Sequence, residues 1–427
     1  MIDKKQHFKN VFVMGFALFA MFFGAGNLIF PPYLGFNTSN QWFTAFLCFL
    51  LTDVGLAVFA LMMLARTGKG VEGITEVIGK KLSVILLTAN AICLGPLIAI
   101  PRTAATTFEL GIQPILPSIP SWACSIVFFL ICFALCVKQS KVVDIIGSVL
   151  SPLMVAALAI LIISGIVNPI GEIGDVIRVE SVVKEGIVSG YQTMDMLGGI
   201  VLSIGLLLSI QQKGYKTTKE QANMIGVSGL VAAIGLALVY GGLAYLGATT
   251  SVVYPEGLTQ AQLVVAITKD ILGQPGVMLL GFIVAAACLT TAIGLLSSFA
   301  EYVSELTHGK VSYKTILMAT AAMSCVISNF GISTIISLAA PILELIYPIF
   351  VILVFLALFS KQLTNHNVHK GASLAALIVS VLTLLETYAG MKIGVSSLPL
   401  ASFGFAWVVP SIIGGVIGAF IKDKKNA

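Results

Sequence analysis

An all-α integral membrane protein with twelve transmembrane helices is the fold class that this sequence predicts, and three observations carry the prediction. Mean hydropathy is +1.02, with 58% apolar and 10% charged residues over 427 positions. A soluble domain carries about 25% charge, and a chain this apolar could not cover its own surface with polar groups. That excludes a soluble enzyme, a nucleic-acid-binding protein and a disordered chain. Apolar runs also recur at bilayer length, about 20 residues each, and the basic residues between them alternate strictly in number.

The runs fall at 10–35, 40–64, 82–108, 119–137, 142–167, 189–211, 222–248, 276–303, 314–330, 332–359, 371–390 and 399–421. The longest connections, 168–188 and 249–275, leave no room for a separate soluble domain, so residues 1–427 read as one transmembrane domain. The first run is too long for a cleavable leader and lacks a small-residue cleavage site after it. Nineteen basic residues lie on one side: Lys4, Lys5, Lys9, Arg66, Lys69, Lys80, Lys81, Lys138, Lys141, Lys213, Lys216, Lys219, Lys310, Lys314, Lys361, Lys370, Lys422, Lys424 and Lys425. The other side has Arg178, Lys184, Lys269 and Lys392. The positive-inside rule therefore predicts both termini in the cytoplasm and the two long loops outside.

The first span carries Gly24-Ala-Gly-Asn27 at mid-depth. Irregular backbone is tolerated there only where it lines a cavity or is buried in protein, and its freed amides and carbonyls can bind ions and polar ligands. The other reading is a small-residue packing groove. The second span holds a buried acid, Asp53. The third reads Gly95-Pro-Leu-Ile-Ala-Ile-Pro-Arg-Thr103 and then Glu109, so two prolines should kink it. Arg102 is costly within a span and must face protein or water. It fits either a gate or structural ion pair, or snorkelling to the surface. The fourth and fifth spans are plain apolar runs. Their cysteines, like all seven in the chain, read as small apolar side chains.

The sixth span has a second polar interruption, Tyr191-Gln-Thr-Met-Asp195, followed by Gly198 and Gly199. Interrupted spans at matching places in two halves of a chain point to a transporter binding site. The first and sixth spans would each open a set of five helices, one at about 10–167 and the other at about 189–359, with 371–421 as two additions. After the seventh span, Leu258 to Leu272 forms an amphipathic run with Leu263, Val264, Ala266, Ile267 and Ile271 on one face, either a lid or a plain surface helix. The eighth span places Ala287, Thr290 and Thr291 at i, i+3 and i+4. Their oxygens suit a small monovalent cation, although hydroxyls in membrane helices commonly bond back to the preceding turn. Further buried acids, Glu344 and Glu386, lie in the tenth and eleventh spans.

Together, Gly15-Phe with Phe22-Phe-Gly-Ala-Gly-Asn-Leu-Ile-Phe-Pro-Pro32, Gly95-Pro with Ile100-Pro-Arg-Thr103, Gly190-Tyr-Gln-Thr-Met-Asp195 and Leu289-Thr-Thr-Ala-Ile-Gly294 resemble the bacterial branched-chain amino acid:cation symporter family, of the amino acid–polyamine–organocation superfamily. The resemblance covers essentially the whole chain. It implies a LeuT-like fold, with a 5+5 inverted repeat plus two extra helices, in the bacterial cytoplasmic membrane. It implies a secondary active transporter, not an enzyme, that imports leucine, isoleucine and valine with Na+ by alternating access. No cofactor is expected beyond that coupling ion, and no nucleic-acid partner. The resemblance also assigns residues. Carbonyls of Ala20 and Phe23 with Ala287, Thr290 and Thr291 would hold sodium. Phe23, Gly24, Ala25, Gly26, Asn27, Tyr191, Thr193, Met194, Asp195 and Gly198 would form the substrate site. The amides near Gly24 to Gly26 would take the carboxylate, and carbonyls of the first and sixth spans the ammonium. Arg102 and Glu109 would be gating or structural. The rival of the same fold is coupling to H+, with Asp53, Asp195 or Glu344 as carrier.

Overall fold

The structure is a computed structural model that describes residues 4–68, 70–138 and 142–422. Lys69, Lys141, Lys424 and Lys425, counted above for orientation, lie outside the described residues. Among the described residues every regular element is helical.

The helices follow the predicted runs in order. The first run forms α1 (Lys4–Phe22) and α2 (Ala25–Thr38). The second forms α3 (Trp42–Leu50), a π-turn over Leu51–Gly55, and α4 (Leu56–Thr67). A short α5 (Glu72–Thr75) precedes the third, which comprises α6 (Lys80–Ile92), a π-turn over Cys93–Leu97, α7 (Ala99–Thr106) and a π-turn over Thr107–Ile112. Next come α8 (Ser121–Lys138) and α9 (Val142–Val167). The sixth run divides into α10 (Val182–Thr193) and α11 (Asp195–Gln212). The rest are α12 (Thr218–Thr249), α13 (Gln260–Leu306), α14 (Tyr313–Ser328), α15 (Ile332–Leu358), α16 (His366–Ala389) and α17 (Val408–Phe420). By length and composition, six stretches can cross a membrane: Ala25–Thr67, Lys80–Ile112, Thr218–Thr249, Gln260–Leu306, Ile332–Leu358 and His366–Ala389. Four shorter apolar helices accompany them.

Local chemistry sets several of the ends. Thr217 with Glu220, and Thr259 with Gln262, form reciprocal capping boxes that open α12 and α13; each satisfies two otherwise orphaned backbone donors. The kink expected in the third run falls at Gly95, whose φ −82° and ψ −122° are non-helical, next to Pro96. Pro101 lies in the first turn of α7, where no helical hydrogen bond is lost. The amphipathic run forms the opening turns of α13, set off by a kink at Gly273 (φ 68°) before Pro275. Leu263, Val264 and Ile267 on its apolar face are buried against the body of the protein.

Glycines let the helices that carry the breaks approach backbone to backbone. A Cβ on Gly35 of α2 would overlap the Ala244 carbonyl of α12, and one on Gly247 would overlap the Pro32 carbonyl. A Cβ on Gly186 of α10 would overlap the Ala45 carbonyl of α3. Close packing through small residues is the usual adhesive between helices in lipid, where apolar burial drives nothing. Large apolar side chains such as Phe16, Leu238 and Ile412 remain exposed on the outside, where acyl chains would meet them.

Candidate functional site: two helix breaks around a polar cluster

The first break lies where the glycines suggested. α1 ends at Phe22, Gly24 is extended (φ −115°, ψ −172°) and α2 starts at Ala25. Any residue can adopt that conformation, so Gly24 is not demanded by its backbone. The Gly24 amide donates to Asn27 Oδ1 at 3.2 Å, which leaves the Ala20 carbonyl without its helical partner. The same contact settles the Asn27 amide, because the oxygen must face the Gly24 N–H and the nitrogen must face the other way.

That nitrogen points at two carboxylates. Asn27 Nδ2 donates to Asp195 Oδ2 at 2.9 Å and to Asp53 Oδ2 at 3.3 Å. The two oxygens therefore stand no more than about 6 Å apart. Two unit charges at that separation and an effective dielectric near 20 repel by about 3 kcal/mol. Asp53 comes from the π-turn Leu51–Gly55 and is fully buried. The extra residue of a π-turn re-aims side chains, and such turns cluster at functional sites. Thr193 Oγ1 lies 2.8 Å from Asp53 Oδ1 and 2.6 Å from the Gly190 carbonyl, so its one proton has two acceptors.

The second break is at Met194, which sits in the left-handed region (φ 67°) between α10 and α11. A non-glycine residue there stores roughly 1–3 kcal/mol of strain. Arg102 closes the end of α10. Its Nη1 donates to the Gln192 carbonyl at 2.6 Å and its Nη2 to the Thr193 carbonyl at 3.2 Å. At 5% exposure it does not snorkel; it is a buried cation on the negative end of a helix dipole. It does not meet Glu109, whose Oε1 accepts the Ile332 N–H at 2.7 Å and caps α15.

A cavity of about 530 Å³ connects the two breaks. Ala20, Gly24, Ala25, Asn27, Arg102, Thr193, Met194, Asp195, Gly198, Thr290 and Thr291 all line it, with Met21, Phe22, Leu94, Leu202 and Leu295 as apolar wall. Phe23, Gly24, Ala25 and Ala287 border a smaller neighbouring cavity, roofed by Thr268 and Leu272 of the opening segment of α13. Tyr191 does not reach the central cavity. It stacks on Tyr347 with ring centroids 4.4 Å apart and lines a separate polar cleft with Glu344 and Trp407. Gly26 is packed by Arg102, so that a Cβ there would lie 3.0 Å from Nη2 and 3.2 Å from the Phe30 ring. Thr290 and Thr291 both donate back to the Ala287 carbonyl, at 2.8 and 3.0 Å. Their lone pairs remain free, so back-bonding and ion ligation are compatible.

Asp53, expected only as a buried acid and a candidate proton carrier, was not among the residues assigned to the substrate site. Its signal was only that of an acid within an apolar run. For the Gly26→Leu variant, loss of function with normal membrane insertion is expected, since the side chain would displace Arg102 and fill the gap between the breaks. Wild-type transport by a purified, monodisperse Gly26→Leu protein would remove that reading.

A chain with two broken helices enclosing buried charges has known counterparts. A structure described as the inward-facing conformation of Mhp1 superposes with a TM-score of 0.65 at 13% identity, covering 96% of this chain and 90% of that one. A Na+-coupled sialic acid symporter in a substrate-bound outward-open state gives a TM-score of 0.54 at 12% identity over 98% of both chains. At such identities the likeness concerns the fold alone, which is that of LeuT-like transporters. In sequence, the chain is 35% identical over 424 residues to the branched-chain amino acid permease BraB of Bacillus subtilis, covering 96% of this chain and 95% of that protein. Residues 7–425 match the family described as branched-chain amino acid transport protein. The motifs around Gly24, Arg102 and Asp195 thus lie in a transporter and not an enzyme: the chain belongs to the bacterial branched-chain amino acid transport protein family.

Proposed function

We propose that the protein imports leucine, isoleucine and valine across the bacterial cytoplasmic membrane together with Na+, by alternating access. One observation carries the reading: both helix breaks and the Thr290–Thr291 pair border the same cavity. The free amides at the start of α2 suit a carboxylate, because a helix N-terminus carries partial positive charge. The walls of Met21, Phe22, Leu94, Leu202 and Leu295 suit a branched aliphatic side chain and would desolvate a charged one at prohibitive cost. The sodium ligands in this reading are the Ala20 and Phe23 carbonyls with Ala287, Thr290 and Thr291. Twelve spans, a 5+5 repeat over about 10–167 and 189–359, and cytoplasmic termini complete the proposal. In that orientation the cavity lies along the cytoplasmic halves of α1, α11 and α13.

Leucine uptake into proteoliposomes, with an imposed Na+ gradient at fixed pH, tests the reading. Na+-dependent accumulation inhibited by isoleucine and valine supports it. Equal uptake without Na+, driven by a pH gradient, favours the H+-coupled alternative, for which the Asp53–Asp195 pair is the natural carrier. Thr290→Val and Thr291→Val each exchange a hydroxyl for a methyl of similar shape. Loss of one oxygen ligand is expected to weaken Na+ activation by roughly 1–3 kcal/mol, or about 5- to 150-fold in apparent affinity. Leucine affinity at saturating Na+ should change far less. Unchanged Na+ activation in both variants would sink the sodium site.

A further inference from the structure

The negative charge in the central cluster exceeds the positive. Asp53 and Asp195 are both buried and bridged by one amide nitrogen, and the basic group facing them is Arg102. Arg102 is already committed to two carbonyls at the end of α10. The remaining titratable groups that face the pair are the phenols Tyr240 from α12 and Tyr347 from α15, with Cys288 of α13 beside Arg102. Thr193 and Asn27 contribute neutral donors. With both carboxylates ionised, the cluster would carry one uncompensated negative charge.

The two aspartates differ in access. Asp53 is fully buried, does not line the cavity, and receives a contact on each oxygen, from Thr193 on Oδ1 and Asn27 on Oδ2. Cavity water and a bound ligand do not reach it directly. Asp195 lines the cavity, accepts from Asn27 on Oδ2 and hydrogen-bonds the Asp53 carboxyl. Among the described residues lining the cavity, Arg102 and Asp195 alone are charged. Arg102 also stands on the Gln192 and Thr193 carbonyls, the ones to which a substrate ammonium would otherwise turn. A second cation placed there would meet the guanidinium. The remaining anionic partner for an ammonium group in this cavity is Asp195.

We infer that Asp195 is the seat of one exchangeable positive charge: a proton while the cavity is empty, replaced by the ammonium group of the amino acid when cargo binds. The proton leaves the Asp195 carboxyl for cavity water, and the carboxylate so formed accepts N–H bonds from the cargo. Asp53 is a positioning residue that makes the proton worth holding, and Asn27 ties both acids to the first break. The inference rests on the reading of the central cavity as the substrate site. Linkage then fixes the sign: binding releases a proton, so acid weakens it.

Calorimetry of leucine binding to the purified full-length protein tests this, at saturating Na+, between pH 6 and 8, in buffers of different ionisation enthalpy. The expected result is about one proton released per leucine, with apparent Kd rising up to tenfold per pH unit on the acid side. Asp195→Asn is expected to weaken leucine binding at least tenfold and abolish proton release. Asp53→Asn is expected to flatten the pH dependence of leucine binding, because Asp195 loses its like-charged neighbour. Thermal unfolding of each variant shows whether it is folded, and the wild-type result stands without them. Proton uptake on binding, or no exchange of protons, would overturn the inference. Na+ titration of the same wild-type protein and competition by isoleucine and valine report separately on the function proposed above.

Discussion

Gly35→Ala and Gly247→Ala are each expected to remove most folded protein from the membrane. Both glycines sit where α2 and α12 touch backbone to backbone. In each case the atom in the way is a carbonyl of the opposite helix, Ala244 for Gly35 and Pro32 for Gly247. Side chains can yield to an added methyl for about 1–3 kcal/mol. A carbonyl inside a hydrogen-bonded helix cannot swing aside, so the helices must separate along their length. The cost should reach or exceed about 3 kcal/mol, a large share of what holds a domain together. Gly55→Ala makes a good control, since its Cβ would meet nothing closer than 3.5 Å. Size-exclusion profiles and melting temperatures of the purified variants check the expectation. Wild-type stability in both would mean that the α2–α12 crossing is looser than described.

Arg102→Ala is expected to abolish transport. The guanidinium, 5% exposed, joins α7 to the end of α10 and rests against Gly26 at the start of α2. Removing it orphans two carbonyls and leaves two buried carboxylates without their cation. Breaking a buried charged contact in this way typically costs 3–5 kcal/mol. Arg102→Lys should recover little, because an ammonium cannot span both carbonyls as the planar fork does. Uptake in proteoliposomes, normalised to folded protein, gives the measurement. Full activity in Arg102→Lys would reduce the residue to a point charge and remove the need for two-pronged contact.

The membrane class, the order of the helices and the existence of two breaks were legible in the residues alone. Each depends on properties summed along about 20 consecutive positions, or on a local signal such as Gly24-Ala-Gly-Asn27, and the bilayer reads those properties segment by segment. The second break lies within the polar stretch Tyr191–Asp195, but its exact place at Met194 was not legible, since a methionine in the left-handed region advertises nothing in a sequence and is held there by its surroundings. Arg102 fitted both snorkelling and a gate until the bend at Gly95 and the approach of α10 turned it inward, onto carbonyls 90 and 91 residues away. Asp53 was one buried acid among several. Its partnership with Asn27 and Thr193, 26 and 140 positions distant, exists only because a π-turn rotates it toward the break. Hydropathy decides which segments enter the membrane, whereas the rotation and crossing of those segments decide which polar groups must satisfy one another once water is excluded.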